Sequence, residues 1–187
     1  MSSWYGGNMI IGVTGLFASG KDTVADYLTS KGFDHFSLSA ILREEAQKRG
    51  IQINRNNLIK LGTDLKQEEG HEVLAKRALE RIKKDTVISS IRHPKEVLYF
   101  KQHSDFKLIE VFADPKIRYE RMLKRAREND SKMSFDEFIK SEKIERSSGG
   151  GQEFDAVFKL TDTRLDNNKD LHYLYQQIDK IISNLKN

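Results

Sequence analysis

The stretch from Met9 to Thr23 reads MIIGVTGLFASGKDT, an apolar run followed at once by a glycine-rich turn. The run MIIGVT is short and rich in β-branched residues, which predicts a buried β-strand. The turn, Gly15 to Lys21, matches the pattern G-x-x-x-x-G-K of a phosphate-binding P-loop. A helix is expected from Lys21 to Lys31, because apolar residues recur there at helical spacing and Gly32 follows. Strand, P-loop and helix in this order predict an α/β fold that binds a nucleotide.

Each residue type in this turn suits a phosphate group. Glycines let backbone N–H groups point inwards, the following helix N-terminus adds positive potential, and the ammonium group of Lys21 reaches the β and γ phosphates. The competing interpretation is an ordinary glycine turn, but the position between a strand and a helix favours the P-loop. The predicted ATP-binding residues are Gly15, Ala18, Ser19, Gly20, Lys21, Asp22 and Thr23.

Asp22 stands where the P-loop motif has Ser or Thr, and Thr23 comes one place later. We predict that both residues contribute to a Mg²⁺ site, Asp22 through the hydration shell of the ion and Thr23 through its hydroxyl. A second interpretation of Asp22 is that its charge only complements the positive end of the helix dipole.

Four further strand patterns alternate with helical patterns along the chain. They cover 33–36, 86–90, 106–113 and 163–166. This alternation predicts the three-layer P-loop NTPase fold, a parallel five-stranded sheet with helices on both faces. Ligands of such sheets bind at the C-terminal ends of the strands, where the P-loop lies.

Composition limits the class of protein. Of the 187 residues, 37% are hydrophobic and 32% charged, which suits one core, so we predict a single domain over 1–187. No run reaches the ~18 apolar residues of a membrane span, and the N-terminus lacks a signal-peptide pattern. A cytoplasmic protein without a membrane partner is therefore expected. The absence of cysteine excludes thiol catalysis and cysteine-ligated metals, and the net charge of +4 selects no partner.

Several segments together resemble a known group of kinases. GLFASGKDT (15–23) is similar to the P-loop of adenylate-kinase-like nucleoside and nucleotide kinases, and GKDTVADYL (20–28) to that of deoxynucleoside monophosphate kinases. Five later segments resemble, in the same order, archaeal adenylate-kinase-related proteins often labelled dephospho-CoA-kinase-like. These segments are ILREEAQKRG, LGTDLKQEEG, IRHPKEVLYF, RYERMLKRAREND and LDNN. The resemblance covers nearly the whole chain from Met9 and implies a kinase that uses ATP with Mg²⁺.

The resemblance also implies an acceptor-binding helical region at about 35–84. Arg43 and Arg92 match the arginines that hold the acceptor phosphate in adenylate-kinase-like proteins. Arg55 and Glu96 are predicted as further acceptor-binding residues. Arg43 has the alternative of a solvated helix charge, and Glu96 that of an exposed helix glutamate.

The chain departs from the family at the end of the third predicted strand. Ser89-Ser90 replaces the usual Asp-Gly pair, whose carboxylate organises magnesium or activates the acceptor. A dephospho-CoA kinase transfers to a ribose hydroxyl and would need a carboxylate base at Ser89, so the departure argues against that activity. Another carboxylate such as Asp22 could substitute, magnesium could be held by phosphates and water alone, or turnover could be weak.

A basic helix is predicted from Lys116 to Arg127, inside a helical lid region of about 116–150. Arg118, Arg121 and Arg125 are spaced by three and four residues and therefore share one face. In a phosphoryl-transfer enzyme such a face supplies positive charge to the transferring group. The predicted lid arginines are Arg118, Arg121, Arg125, Arg127 and Arg146. A solvated face, or contact with a nucleic-acid backbone, is the alternative.

The expected activity is ATP-dependent phosphoryl transfer to a nucleoside or deoxynucleoside monophosphate by a monomer or homodimer. The expected catalytic residues are Lys21, Arg92, Arg121 and Arg125. Dephospho-CoA kinase-like activity and a regulatory P-loop module with weak ATPase activity are the alternatives. Nucleic acid is not an expected partner, because Tyr119 is the only aromatic residue within the basic helix.

Overall fold

A computed structural model describes residues 8–125, 133–147 and 153–186 of the chain. Its first half contains β1 (Met9–Thr14), α1 (Lys21–Ser30), β2 (Asp34–Ser37), α2 (Leu38–Lys48), α3 (Arg55–Glu69), α4 (Val73–Leu79) and β3 (Thr86–Ser89). Its second half contains α5 (Pro94–His103), β4 (Asp105–Phe112), α6 (Pro115–Lys124), α7 (Phe135–Ser147), α8 (Phe154–Phe158), β5 (Thr163–Asp166) and α9 (Leu171–Lys186). None of these helices is long and apolar enough to cross a lipid bilayer.

The five strands form one sheet with the order β2-β3-β1-β4-β5, and every neighbouring pair is parallel. β1 occupies the centre, where Ile10 lies opposite Thr86 of β3 and Phe106 of β4. The loop that follows β1 therefore emerges between the C-terminal ends of two neighbouring strands, the position at which open parallel sheets bind ligands.

Helices cover both faces of the sheet, because successive side chains of a strand point to opposite sides. Ile10 packs into a core built with residues of α2, α3, α4, α5 and α8. Ile11, one residue later, packs into a second core with residues of α1 and α9. The predicted three-layer arrangement with a parallel five-stranded sheet is confirmed.

Several element bounds differ from those predicted. The sequence pattern predicts a helix over 72–84, whereas α4 ends at Leu79. Lys84 instead pairs with Asp34 at 2.9 Å, and the Asp85 carboxylate accepts a hydrogen bond from the Met9 amide at 2.8 Å. Both residues therefore contact the first residue of a sheet strand, Lys84 that of β2 and Asp85 that of β1. The sequence analysis did not predict α8, because its five residues are too few to show a helical period.

Candidate phosphate-binding site

The loop after β1 has the backbone shape that a phosphate group requires. Ala18 and Gly20 adopt left-handed conformations with φ of 59° and 97°, and the Ser19 amide donates to the Leu16 carbonyl at 3.1 Å. Gly20 is the N-cap of α1 and provides no side-chain cap. The first N–H groups of α1 therefore lack an intrahelical acceptor and can bind an anion.

Two buried hydroxyl groups at this end of β1 have no hydrogen-bond partner among the described residues. They are Oγ1 of Thr14, the last residue of the strand, and Oγ of Ser19 in the loop. Buried hydroxyls are normally paired, because an unpaired one loses its hydration without compensation. Both groups are consistent with a site whose ligand supplies the missing partner.

Asn167, directly after β5, supports the P-loop from behind. Its side chain is 4% exposed, and its Nδ2 donates to the Ser19 carbonyl at 2.7 Å. A Cβ atom at Gly20 would lie 2.1 Å from the same Nδ2, so this close approach requires glycine. No local sequence pattern predicts this role, because Asn167 and Ser19 are 148 residues apart.

Arg121 of α6 reaches the same loop carbonyl. Its guanidinium donates to the Ser19 carbonyl at 3.3 Å and to the Asn167 carbonyl at 2.9 Å. Burial lowers the pKa of Arg121, and the neighbouring charge of Arg125 acts in the same direction. Arg125 itself is exposed at the end of α6, and Arg127 lies outside the described residues. The structure thus places Arg121 at the P-loop and Arg125 beside it.

Two other predicted lid arginines form ion pairs that join neighbouring helices. Arg118 is 2% exposed, forms an ion pair with Glu142 of α7 and donates to the Ala113 carbonyl at 2.9 Å. A buried guanidinium needs such pairing, so Arg118 joins α6 to α7, and its Nη1 also donates to the carbonyl of Phe17 in the P-loop at 3.4 Å. Arg146 donates to the Asp155 carboxylate at 2.9 Å and therefore links α7 to α8. Most of the connecting segments at 128–134 and 149–151 lie outside the described residues.

A pocket of about 90 Å³ opens between the P-loop and the end of β3. Its lining consists of Val13, Thr14, Gly15, Phe17, Lys21, Ser90, Ile91, Arg92 and Phe154. Lys21 enters from the start of α1 and Arg92 from the segment after β3, so two cationic side chains line one small space. Phe154 of α8 is a wall residue that the sequence analysis did not identify.

A chain of hydroxyl groups leads from this pocket towards Arg43. Ser90, which has a φ of 66°, contacts Ser37 with an Oγ–Oγ distance of 3.0 Å, and Ser37 contacts Ser39 at 2.9 Å. Arg43 is exposed on α2 and donates to Ser39 Oγ at 3.0 Å. Ser89 points elsewhere and contacts Nε2 of His35 at 2.9 Å. The pocket edge thus carries the neutral hydroxyl of Ser90, while Ser89, at the position of the family's carboxylate, contacts His35.

Glu96 lies behind Arg92. Only 1% of it is exposed, and its Oε2 accepts hydrogen bonds from the Arg92 amide at 3.0 Å and the His93 amide at 3.1 Å. The alternative of an exposed helix glutamate is therefore wrong, because this carboxylate completes the capping box of α5. Burial raises the pKa of Glu96. The Glu153 amide donates to the Arg92 carbonyl at 2.9 Å, so the Arg92 backbone is held on both sides.

Arg55 begins α3, and its side chain lies outside the described atoms. The sequence pattern predicts a helix over 57–69, but α3 starts two residues earlier, because the Asn54 side chain accepts a hydrogen bond from the Asn57 amide at 2.9 Å. Arg55 therefore occupies the first position of the helix.

The residues predicted to hold Mg²⁺ offer few ligands. Asp22 has a side chain that is 61% exposed, with Oδ1 3.4 Å from Lys21 Nζ. Thr23 follows it in the first turn of α1. No group of three His, Asp or Glu side chains within the described ranges could hold a metal ion. The site fits Mg²⁺ only in the way this ion commonly binds, through substrate phosphates, water and one or two protein oxygens.

His93, the N-cap of α5, is buried beside the site. Its Nδ1 accepts a hydrogen bond from the Lys95 amide at 3.1 Å, and its ring stacks on His71 with 4.5 Å between centroids. Burial lowers the pKa of His93 from 6.5 to about 4, and the charge of Lys66 acts in the same direction while Glu153 opposes it. The folded protein therefore keeps this imidazole neutral.

We expect His93 to make folding stability depend on pH. The unfolded chain binds a proton at His93 below pH 6.5 and the folded chain only below about 4, so the free energy of unfolding falls as pH decreases through this window. The slope contributed is at most about 1.4 kcal/mol per pH unit. His93→Asn keeps a capping acceptor without a titrating ring, and denaturant unfolding at several pH values should show a shallower decline. Equal slopes for both proteins would contradict the prediction.

Comparison with known proteins places the chain in a family. A model of the AAA domain matches residues 11–145. A UPF0200 protein of Pyrococcus abyssi is 32% identical over 183 residues, which are 93% of this chain and 95% of that protein. A UPF0200 protein of Methanothermobacter thermautotrophicus is 31% identical over 182 residues, covering 95% and 90% of the two chains.

Solved structures share the fold at low identity. A shikimate kinase from Bacteroides thetaiotaomicron matches with a TM-score of 0.59 and 13% identity, over 96% of this chain and 99% of that one. A gluconokinase from Sinorhizobium meliloti matches with a TM-score of 0.52 and 13% identity, over 96% and 95%. These matches support the P-loop kinase-like fold, whereas the resemblance to adenylate-kinase-like nucleotide kinases stays a prediction. On the match to residues 11–145 and the 32% identity to a relative over most of both chains, the chain belongs to the AAA-domain family and to the UPF0200 family.

Proposed function

We propose that this chain is a single-domain kinase that transfers the γ-phosphoryl group of ATP to a nucleoside or deoxynucleoside monophosphate. The observation that carries the proposal is the pocket beyond β1 and β3, which Lys21 and Arg92 line together. Phosphoryl transfer between two anionic substrates requires positive charge on both sides of the transferring group. Lys21 with the P-loop amides suits the donor, and Arg92 suits the acceptor.

The side chains around the pocket favour a phosphate acceptor over a hydroxyl acceptor. The described pocket lining contains no Asp or Glu, and Ser89, which stands where a dephospho-CoA kinase would need a carboxylate base, contacts His35 instead. An alcohol must lose a proton as it attacks, whereas a phosphate oxygen is already ionised near neutral pH. Arg43, at the end of the hydroxyl chain, adds a group that can bind the acceptor phosphate. These features support a monophosphate acceptor over dephospho-CoA.

The remaining residues have supporting roles in this proposal. Arg121 and Arg125, side by side at the end of α6, would neutralise charge on the donor phosphates in the transition state. Mg²⁺ would enter with ATP and be held by its phosphates, with Thr23 and Asp22 in the first turn of α1 as the side chains that could add oxygen ligands. Catalysis would rest on positioning and charge neutralisation, without a covalent intermediate.

Relatives of the fold agree with this class of reaction. The shikimate kinase and the gluconokinase are both named as kinases, so the same architecture serves phosphoryl transfer to small molecules in those proteins. At 13% identity these names support the reaction class and leave the acceptor to be identified from the pocket itself.

The test is ADP formation from ATP and Mg²⁺ across a panel of ribonucleoside and deoxyribonucleoside monophosphates, dephospho-CoA, shikimate and gluconate, with products identified by mass. We expect stimulation by at least one monophosphate and none by the three hydroxyl acceptors. Stimulation by a hydroxyl acceptor alone would refute the choice of acceptor while keeping the kinase. A flat panel with intact nucleotide binding would instead favour a regulatory P-loop module with weak ATPase activity.

A further inference from the structure

Thr14 combines two properties that rarely occur together in a strand. It is the last residue of β1, pairs with Glu110 of β4 in the sheet and is 2% exposed. Its Oγ1 has no hydrogen-bond partner among the described residues, although the residue lines the pocket between Lys21 and Arg92. A buried, unpaired hydroxyl on a residue that lines a pocket with two cationic residues is suited to a ligand that supplies its partner.

Packing alone does not explain a threonine at this position. Val13, Ile11 and Ile10 precede it in β1 and are completely or almost completely buried, so an isosteric valine would fill the same space without an unpaired polar atom. Thr86, a buried threonine of neighbouring β3, shows the usual arrangement, since its Oγ1 donates to the Lys84 carbonyl at 2.7 Å. Thr14 therefore retains a hydroxyl whose partner is missing from the described protein atoms.

We propose that the Thr14 hydroxyl donates a hydrogen bond to the terminal phosphate of the donor nucleotide. The inference deepens the proposed function, because it assigns a further contact within the same site. A phosphate oxygen held near Lys21 and facing Arg92 would lie in the space that Thr14 lines, and its negative charge would satisfy the hydroxyl. ADP lacks this phosphate, so the contact would distinguish ATP from ADP.

The test compares the binding of a β,γ-imido analogue of ATP with that of ADP, both with Mg²⁺, by titration calorimetry. Thr14→Val should weaken analogue binding about tenfold and leave ADP binding unchanged, since a hydrogen bond to a charged group is commonly worth one to two orders of magnitude. Thr14→Ser keeps the hydroxyl and should retain the wild-type ratio of affinities for the ATP analogue and for ADP. The melting temperature of Thr14→Val should not fall, because no protein hydrogen bond is lost.

Thr86→Val is the matched control, because it removes a buried strand hydroxyl at the opposite end of the sheet. We expect it to lower the melting temperature and to leave both nucleotide affinities unchanged. Equal affinities for Thr14→Val and wild type, an equal loss for both nucleotides, or an effect on the acceptor KM alone would each overturn the assignment. The ratio of the affinities for the ATP analogue and for ADP is measured without turnover. Failure of the kinase proposal would appear separately, as ADP formation that no acceptor stimulates.

Discussion

Replacing Lys21 by alanine is expected to lower kcat/KM for acceptor-dependent ADP formation by about a hundred- to a thousandfold. Lys21 is the only lysine in the pocket lining described for the site, and its side chain remains 27% exposed. Its ammonium group would contact the β and γ phosphates, where negative charge shifts as the phosphoryl group leaves. The folded state should persist, because the contact Lys21 makes with Asp22 at 3.4 Å is exposed and contributes little to stability.

Lys31→Ala provides the matched control for this variant. Lys31 follows the other end of α1 and contacts Asp179 at 2.8 Å, far along the helix from the pocket. The control removes one positive charge and one surface ion pair, so a modest change in melting temperature with unchanged kcat/KM is expected. The measurement is kcat/KM of both variants, from steady-state kinetics with the acceptor that stimulates wild type most. Wild-type turnover in Lys21→Ala would show that the P-loop assignment is wrong.

Replacing Arg92 by alanine is expected to raise the KM for the acceptor and to lower kcat/KM by about a hundredfold. The backbone of Arg92 is fixed by Glu96 on its amide side and by Glu153 on its carbonyl side. This fixed backbone limits the entropy lost when its side chain binds a phosphate. Arg92→Lys should recover only part of the loss, because an ammonium group lacks the two-pronged geometry of a guanidinium.

The affinity for the donor nucleotide distinguishes a specific loss of acceptor binding from general damage to the fold. Nucleotide affinity of Arg92→Ala, measured by calorimetry, should remain within about twofold of wild type, whereas acceptor KM changes by far more. Arg81→Ala is a suitable control, since Arg81 pairs with Glu44 on the exposed surface. An Arg92→Ala protein with normal acceptor KM but weakened ATP binding would move Arg92 to the donor side of the site.

The sequence predicts the layered sheet because the necessary signals are local. A six-residue apolar strand, a glycine turn and a helical period all lie between Met9 and Lys31, and the later strands repeat the pattern. The capping box that buries Glu96 also has a local signal, since His93, Pro94 and Glu96 stand at the N-cap, first and third helical positions. That signal predicts a structural carboxylate, whereas the two expected roles of Glu96 were an acceptor-binding glutamate and an exposed one.

The site is less predictable, because its contacts join residues that are distant in sequence. Helical spacing puts Arg118, Arg121 and Arg125 on one face but does not say which neighbour each will meet. In the folded protein, Arg118 pairs with Glu142 of α7 and also donates to the Phe17 carbonyl, whereas Arg121 donates to the Ser19 carbonyl. The partner of each arginine is decided by the packing of α6 against α7 and the P-loop, which the helical pattern does not contain.

The contact between Asn167 and the P-loop has a consequence for protein synthesis. The nucleotide-binding motif is complete in a nascent chain once Thr23 has left the ribosome. Asn167, whose side chain supports Ser19, follows Ser19 by 148 residues. β4 and β5, which position Asn167, are made late as well. A ribosome-bound chain should therefore gain tight ATP binding only after residue 167 emerges, so nucleotide retention by stalled chains of increasing length would report the moment at which the fold closes.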